Sequence, residues 1–188
     1  KSGRPVPGMS VRVVDESDQR LPEDGQTVGE LQLRGAWVTG SYLDIESDAF
    51  TSDGWLRTGD VGHINPQGYV QLTDRMKDVI KSGGEWISSV DLEDAILQTP
   101  GVAEVGVIGI ADERWQERPL AVVVLTADQP ATAEQIRSFL QDRVAKFWVP
   151  EYWSFVSGLP KTSVGKLDKK QLRSEHSDNQ LTIEVCRD

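Results

Sequence analysis

Cysteine is nearly absent from this 188-residue chain: Cys186 is the only one, which excludes an internal disulfide framework and fits a reducing, cytoplasmic compartment. Histidine is almost as scarce. His63 and His176 stand far apart, so a histidine-rich zinc site is not supported, and no metal site is expected. His176 and Cys186 as a nucleophilic pair fares no better, because both fall in a polar stretch with little to position them. No run approaches the roughly 20 apolar residues of a membrane span, so no transmembrane segment is expected. The opening "KSGRPVPGMS" has basic residues without an apolar run behind them and does not read as a secretory signal. Positive charge is also in deficit. With 20 Lys+Arg against 30 Asp+Glu the formal net charge is −10, which argues against attraction of the whole molecule to nucleic acid or anionic lipid. Any anion must be bound by a local site.

The remaining composition, 38% hydrophobic and 27% charged, suits a globular chain with one sizeable core or two small ones. "SVRVVD" and "GELQLRG" alternate apolar and polar residues around a turn-rich segment, predicting a pair of strands. "VGHINPQGYVQLTD" repeats the pattern around Asn65-Pro66-Gln67-Gly68 and predicts a second hairpin. Beyond Asp74 the period changes. Ser88 and Asp91 have capping-box spacing ahead of "VDLEDAILQ", a short helix stopped by Thr99-Pro100-Gly101. "VAEVGVIGI" and "PLAVVVL" are β-branched runs of strand length. In "TAEQIRSFLQDRVAKF", Ile136, Phe139, Leu140 and Val144 share one helical face. The expected fold class is therefore α+β, with a β-rich segment over residues 1–74, a small α+β domain over 75–175, and a polar tail over 176–188 that is loosely held. The boundary is placed near Asp74 to Lys77.

Three short stretches carry candidate chemistry. "PKTSVGKLDKK" gathers Lys161, Lys166, Lys169 and Lys170 in an otherwise acidic chain. It is not a phosphate loop of the form Gly-x-x-x-x-Gly-Lys-Ser/Thr, because Gly158 stands too far ahead of Gly165 and Leu167 follows the lysine. A solvated lysine loop is the plain alternative. In "SDGWLRTGDVG", Asp60 sits in a glycine-flanked turn where a carboxylate can accept both hydroxyls of a ribose, or simply form the turn. "TDRMKDVIKSGGEWISS" places Arg75, Lys77 and Lys81 before Gly83-Gly84. Arg75 offers a planar fork for phosphate or ribose oxygens, and the glycines admit close approach of a ligand to the backbone; a basic linker with a flexible turn is the alternative.

In order and spacing, "GELQLRGAWVTGSYL", "WLRTGD", "GYVQLTDRMKDVIKSGGEWISSVDLEDAI", "ADERWQERPLAVVVL" and "LPKTSVGKLDKKQLR" resemble the carboxy-terminal motifs of the adenylate-forming superfamily, which comprises acyl-CoA synthetases, luciferases and adenylation domains of peptide synthetases. "KSGGEWISSVDLE" with "PKTSVGKLDKK" is most similar to the medium- and long-chain fatty acyl-CoA ligases. The resemblance implies a role for each matching residue. Asp60 would hold the ribose of ATP, Arg75 would contact the nucleotide, and Lys77 would be the hinge between a large and a small domain. Lys166 would be the adenylation lysine. Gly84, with Gly83, would line the pantetheine channel in the second half-reaction, and Lys81 lies on that face. ATP with Mg²⁺, a fatty acid and coenzyme A are the implied co-substrates. The resemblance also implies a large amino-terminal region with a phosphate loop, the acyl pocket and a Mg²⁺-binding glutamate, none of which is in these residues. The chain thus reads as the distal β-rich part of the large domain followed by the small lid domain, and alone it is expected to be inactive. The segment "VTGSYLDIESDAF" is looser than the family pattern around Ser41 to Glu46. Two other functional readings stay open: a separate docking or regulatory module, and an adenylation domain with a different acceptor. An exposed face on the β-rich segment leaves homodimerisation open, and membrane association, if any, is expected to be peripheral and to come through the parent enzyme.

Overall fold

Four strands with alternating residues pair in sequence order: β1 (Met9–Val14), β2 (Gly29–Gly35), β3 (Leu56–Ile64) and β4 (Val70–Arg75), all antiparallel. The computed structural model describes residues 2–40, 49–128 and 130–187; Ser41 to Glu46, where the chain departs from the family pattern, lie outside the described residues. The alternation sorts the two faces of this sheet. Val13, Leu31 and Ile64 are buried on one, with Val11, Leu21 and Val70 packed beside them. Arg12 and Gln32 face each other in register on β1 and β2, and the Arg12 Nε donates to the Gln32 side-chain oxygen at 2.8 Å. The Gln32 amide in turn donates to Asp18 at 2.7 Å, and Arg57 donates to both Asp18 oxygens. The Arg57 hydrogen bonds hold the Asp18 carboxyl below its usual range. The guanidinium carbons of Arg12 and Arg34 stand 4.4 and 4.7 Å from the centre of the Trp55 ring.

The centre of this sheet is closely packed at Gly62. A Cβ there would lie 2.1 Å from the Gln71 carbonyl oxygen and 2.9 Å from Leu31 Cδ1. Gly62→Ala is expected to destabilise the four-stranded sheet by about 1–3 kcal/mol, seen as faster amide hydrogen exchange across β1–β4 with no change in residues 78–188.

The chain divides into two compact units, Lys1–Lys77 and Asp78–Asp188. Residues 75–77, assigned to the small domain on sequence, group with the first unit, because Arg75 pairs with Asp60 in the β3–β4 ladder and the Met76 amide donates to the Gly59 carbonyl.

The second unit is built around β8 (Gln116–Leu125). It pairs antiparallel with β7 (Val102–Asp112) and parallel with β9 (Tyr152–Phe155), and at Gln116 it touches β5 (Ile80–Ser82), which pairs with β6 (Glu85–Ile87). The uninterrupted "PLAVVVL" is explained by burial on both faces. Ala121 and Val123 join Val107 and Trp153 in one core, against Leu92 and Ile96 of α1 (Ser89–Leu97) and Ile136 and Leu140 of α2 (Ala133–Leu140). Leu120 and Val122 join Ile108, Ile110 and Leu172 in the opposite core, which α3 (Lys169–Ser177) covers. The fold class is mixed α+β, as the sequence patterning predicts.

Two local expectations are corrected. The helix over "TAEQIRSFLQDRVAKF" ends at Leu140 rather than running through Val144; the Arg143 side chain folds back to the Phe139 carbonyl at 2.7 Å, and a 3-10 turn, Lys146–Trp148, leads to the extended segment before Pro150. Residues 176 onward are not a loose tail: α3 continues to Ser177, Leu181 and Ile183 pack on the second core, and β10 (Glu184–Val185) pairs with β9. The "KSGGE" stretch, for which a basic linker with a flexible turn is the alternative reading, is an ordered hairpin, β5–β6.

Candidate functional site

In the first unit, Thr58-Gly59-Asp60 lies on β3. Thr58 Oγ1 donates to the Leu31 carbonyl at 2.6 Å and accepts from the Asp60 amide at 3.0 Å, so one hydroxyl fixes this short segment to the neighbouring strand. Gly59 has φ +68, a left-handed value that glycine adopts without strain, and nothing would lie within 4 Å of a Cβ there. Asp60 and Arg75 are register partners across β3–β4, and Arg75 Nε stands 2.8 Å from Asp60 Oδ1. The side chains are 28% and 63% exposed, so the pair is open enough to exchange its own contact for a ligand's. Asp60 and Thr58 also border a surface cavity of about 350 Å³ whose other walls include Val11, Leu31, Leu33 and Leu72. A carboxylate beside a guanidinium can accept two hydroxyls of a diol while the arginine donates to neighbouring oxygens.

In the second unit, Gly83 and Gly84 form the two-residue turn between β5 and β6, with φ +61 and +86, the primed-turn geometry that suits a tight hairpin. The two glycines differ. A Cβ on Gly83 would stand 2.8 Å from Trp115 Cε3, and the Gly83 amide donates to the Trp115 carbonyl at 2.8 Å. Gly84 has nothing within 4 Å of such a Cβ, so its backbone is open to a ligand. Lys81 is tied through its amide to Glu117 Oε2 at 2.8 Å, and its ammonium stands 6.0 Å from the Trp86 ring centre.

Lys166 sits at the end of a small loop closed on itself. The Thr162 amide donates to the Lys166 carbonyl at 2.7 Å, the Gly165 amide donates to the Thr162 carbonyl at 2.8 Å, and the Lys166 amide donates to Thr162 Oγ1 at 3.2 Å. Gly165, at φ +80, makes the left-handed step that this turn requires. The Lys166 side chain is exposed and has no hydrogen-bond or ion-pair partner among the described residues. Two of its neighbours differ. Lys161 pairs with Glu104 at 2.9 Å in an exposed contact, and Lys169 pairs with Glu93 at 2.8 Å in a largely buried one. Lys170 is exposed.

The structure thus brings together Asp60 with Arg75, and Lys81 with Gly83 and Gly84, while Lys166 stands on a separate loop of the second unit. Lys77 is the last residue of the first unit and lies in a turn. Sequence reasoning missed the partners of Lys169 and Arg173, because those carboxylates are distant in the chain and no helical spacing signals them.

The chain carries, over residues 91–166, a match to the AMP-binding enzyme C-terminal domain family. It is 45% identical over 181 residues to the long-chain-fatty-acid–CoA ligase of Thermus thermophilus, covering 95% of this chain and 34% of that one. It is 39% identical over 176 residues to the medium-chain-fatty-acid–CoA ligase of Ectopseudomonas oleovorans, covering 94% and 32%. ATP-bound MatB from Rhodopseudomonas palustris matches its fold with a TM-score of 0.80 at 32% identity, over 94% of this chain and 36% of that one. The chain spans about a third of the length of the curated relatives it matches. Among the described residues no helix is long and apolar enough to cross a membrane.

Proposed function

We propose that the chain is the carboxy-terminal part of an ATP-dependent fatty acyl-CoA ligase. In the first half-reaction a carboxylate oxygen attacks the α-phosphorus of ATP, the bond to the bridging oxygen breaks, and acyl-AMP and pyrophosphate form. Both reactants are anionic, so a cation between them lowers the repulsion and stabilises charge on the attacking and bridging oxygens. Lys166 supplies it. The single observation that carries this reading is the presentation of the Lys166 ammonium, free of protein partners among the described residues, at the end of a tightly bonded loop. A lysine suits the task because it is a compact charge on a long stem and can be withdrawn.

Asp60 holds the ribose hydroxyls and Arg75 the adjoining oxygens, their mutual contact giving way to the nucleotide. Rotation about Lys77 then withdraws Lys166 and presents the Gly83-Gly84 turn to coenzyme A. In the second half-reaction the thiol sulfur attacks the acyl carbonyl carbon, AMP leaves, and the thiol proton passes to solvent. The open backbone at Gly84 leaves room for the narrow pantetheine arm, with Lys81 beside it. ATP arrives with Mg²⁺, which neutralises phosphate charge; the described residues contain no group of three or more His, Cys, Asp or Glu side chains placed to hold a metal ion.

The purified 188-residue chain is expected to make no acyl-CoA above the level of its own Lys166→Ala variant. Mixing it with the amino-terminal two thirds of the ligase is expected to restore activity. Turnover by the chain alone, with added fatty acid, ATP and coenzyme A, would overturn the reading.

A further inference from the structure

Lys169 and Arg173 stand one turn apart on α3, and each pairs with a carboxylate from another element of the second unit. Lys169 Nζ lies 2.8 Å from Glu93 Oε1 and donates to Ser89 Oγ at 2.6 Å, both on α1. The two charged side chains are only 12% and 16% exposed. Glu93 Oε1 also accepts from the Val107 amide at 2.7 Å, which extends the tie to β7. One turn further along α3, Arg173 donates to Asp78 Oδ1 at 2.7 Å, and Asp78 is the first residue of the unit. The helix is also fixed at its middle and its start. Leu172 is fully buried, and the Asp168 carboxylate caps α3 by accepting from the Lys170 and Gln171 amides at 3.1 Å. The Asp168 amide donates to the Pro160 carbonyl at 2.9 Å, closing the base of the Lys166 loop, and Leu167 packs on Gly106, where a Cβ would meet its Cδ2 at 3.1 Å.

We propose that α3 acts as a clamp, with Lys169 and Arg173 as positioning residues that tie the Lys166 loop to α1 and to Asp78, so that the adenylation lysine turns as one rigid piece with the residue that follows the hinge. The proposal rests on the reading of Lys166 as the adenylation lysine and of Lys77 as the hinge. An exposed ion pair would contribute little. Lys169–Glu93 is largely desolvated, so removing one partner strands the other charge and frees the helix end that carries the loop. A lysine that must reach between two anions is sensitive to such a displacement, because misplacement of about 1 Å can cost on the order of 100-fold in rate.

The test uses three variants, Lys169→Met, Arg173→Met and Lys169→Arg, in the complete ligase and in the 188-residue chain. In the ligase, acid-dependent pyrophosphate exchange reports adenylation, and acyl-CoA formation from supplied acyl-adenylate reports the second half-reaction. In the chain, amide hydrogen exchange reports the order of residues 161–168. Both methionine variants are expected to slow pyrophosphate exchange on the order of 10- to 100-fold and to speed amide exchange at 161–168, while acyl-CoA formation from acyl-adenylate stays unchanged. Lys169→Arg should restore both readouts. Unchanged protection at 161–168 overturns the clamp, as does a parallel fall of both half-reactions with the melting temperature, the mark of a merely structural ion pair. Arg173→Met, at the more exposed pair, keeps the test decisive if Lys169→Met does not fold. Unchanged pyrophosphate exchange in Lys166→Ala would instead overturn the reading of Lys166, and the amide-exchange arm would still decide whether α3 holds the loop.

Discussion

Lys166→Ala in the complete ligase is expected to lower acid-dependent pyrophosphate exchange by about 100- to 1000-fold, the loss that follows removal of one preorganised charge stabiliser. The same variant should melt within about 0.5 kcal/mol of the parent, because the side chain is exposed and engages no partner among the described residues. Its loop is closed by backbone bonds and by Thr162 Oγ1, none of which involves the ammonium. The combination discriminates: a solvated surface lysine would change neither quantity, and a structural lysine would change both. Lys161→Ala serves as the internal control. It removes an ion pair with Glu104 whose side chains are 49% and 42% exposed, and it should leave exchange near the parent value.

Lys77→Pro is expected to separate the two half-reactions in the opposite sense. Lys77 lies in a turn at the last residue of the first unit. Proline fixes φ near about −65° and restricts the residue before it, so a rotation centred there is blocked while side chains elsewhere are untouched. Pyrophosphate exchange should persist, and acyl-CoA formation should fall on the order of tenfold or more. Rapid-quench measurement of acyl-AMP is the check, since the intermediate should accumulate. Loss of both half-reactions in equal measure would remove Lys77 from the role of hinge.

How much of this was legible in the sequence depends on the length of each element and on what it buries. The strands of the first unit declare themselves because Val11, Val13 and Leu31 alternate with polar residues over whole strands. α1 is equally plain, with Ser88 accepting from the Asp91 amide and Leu92 and Ile96 buried one turn apart. β5 and β6 escape the same reasoning, since strands of three residues are too short to show a period and Gly83-Gly84 resembles a flexible joint. α3 escapes for another reason. Its one fully buried residue is Leu172, and its other anchors are ion pairs, which leave no apolar stripe to read.

The same contrast holds at the candidate site. Gly83 and Gly84 could be singled out because glycine admits close approach to the backbone, and both have positive φ, as do Gly59 and Gly165. The residue types at Asp60, Arg75 and Lys166 could be matched to chemistry. The contact of Asp60 with Arg75 could not, because it depends on the β3–β4 register, which shifts at a bulge between Val61 and Gly62. The division of the lysines into paired and unpaired members was hidden too, as it depends on Glu93 and Glu104, which reach Lys169 and Lys161 only in the folded chain.

The central claim is that one small domain serves two reactions, with Lys166 needed in the first alone. It is tested most directly by giving the Lys166→Ala ligase preformed acyl-adenylate and coenzyme A and following acyl-CoA in a single turnover. The account predicts thioester formation at the rate of the unsubstituted enzyme, beside the loss of pyrophosphate exchange. Thioester formation that falls as far as pyrophosphate exchange would contradict it.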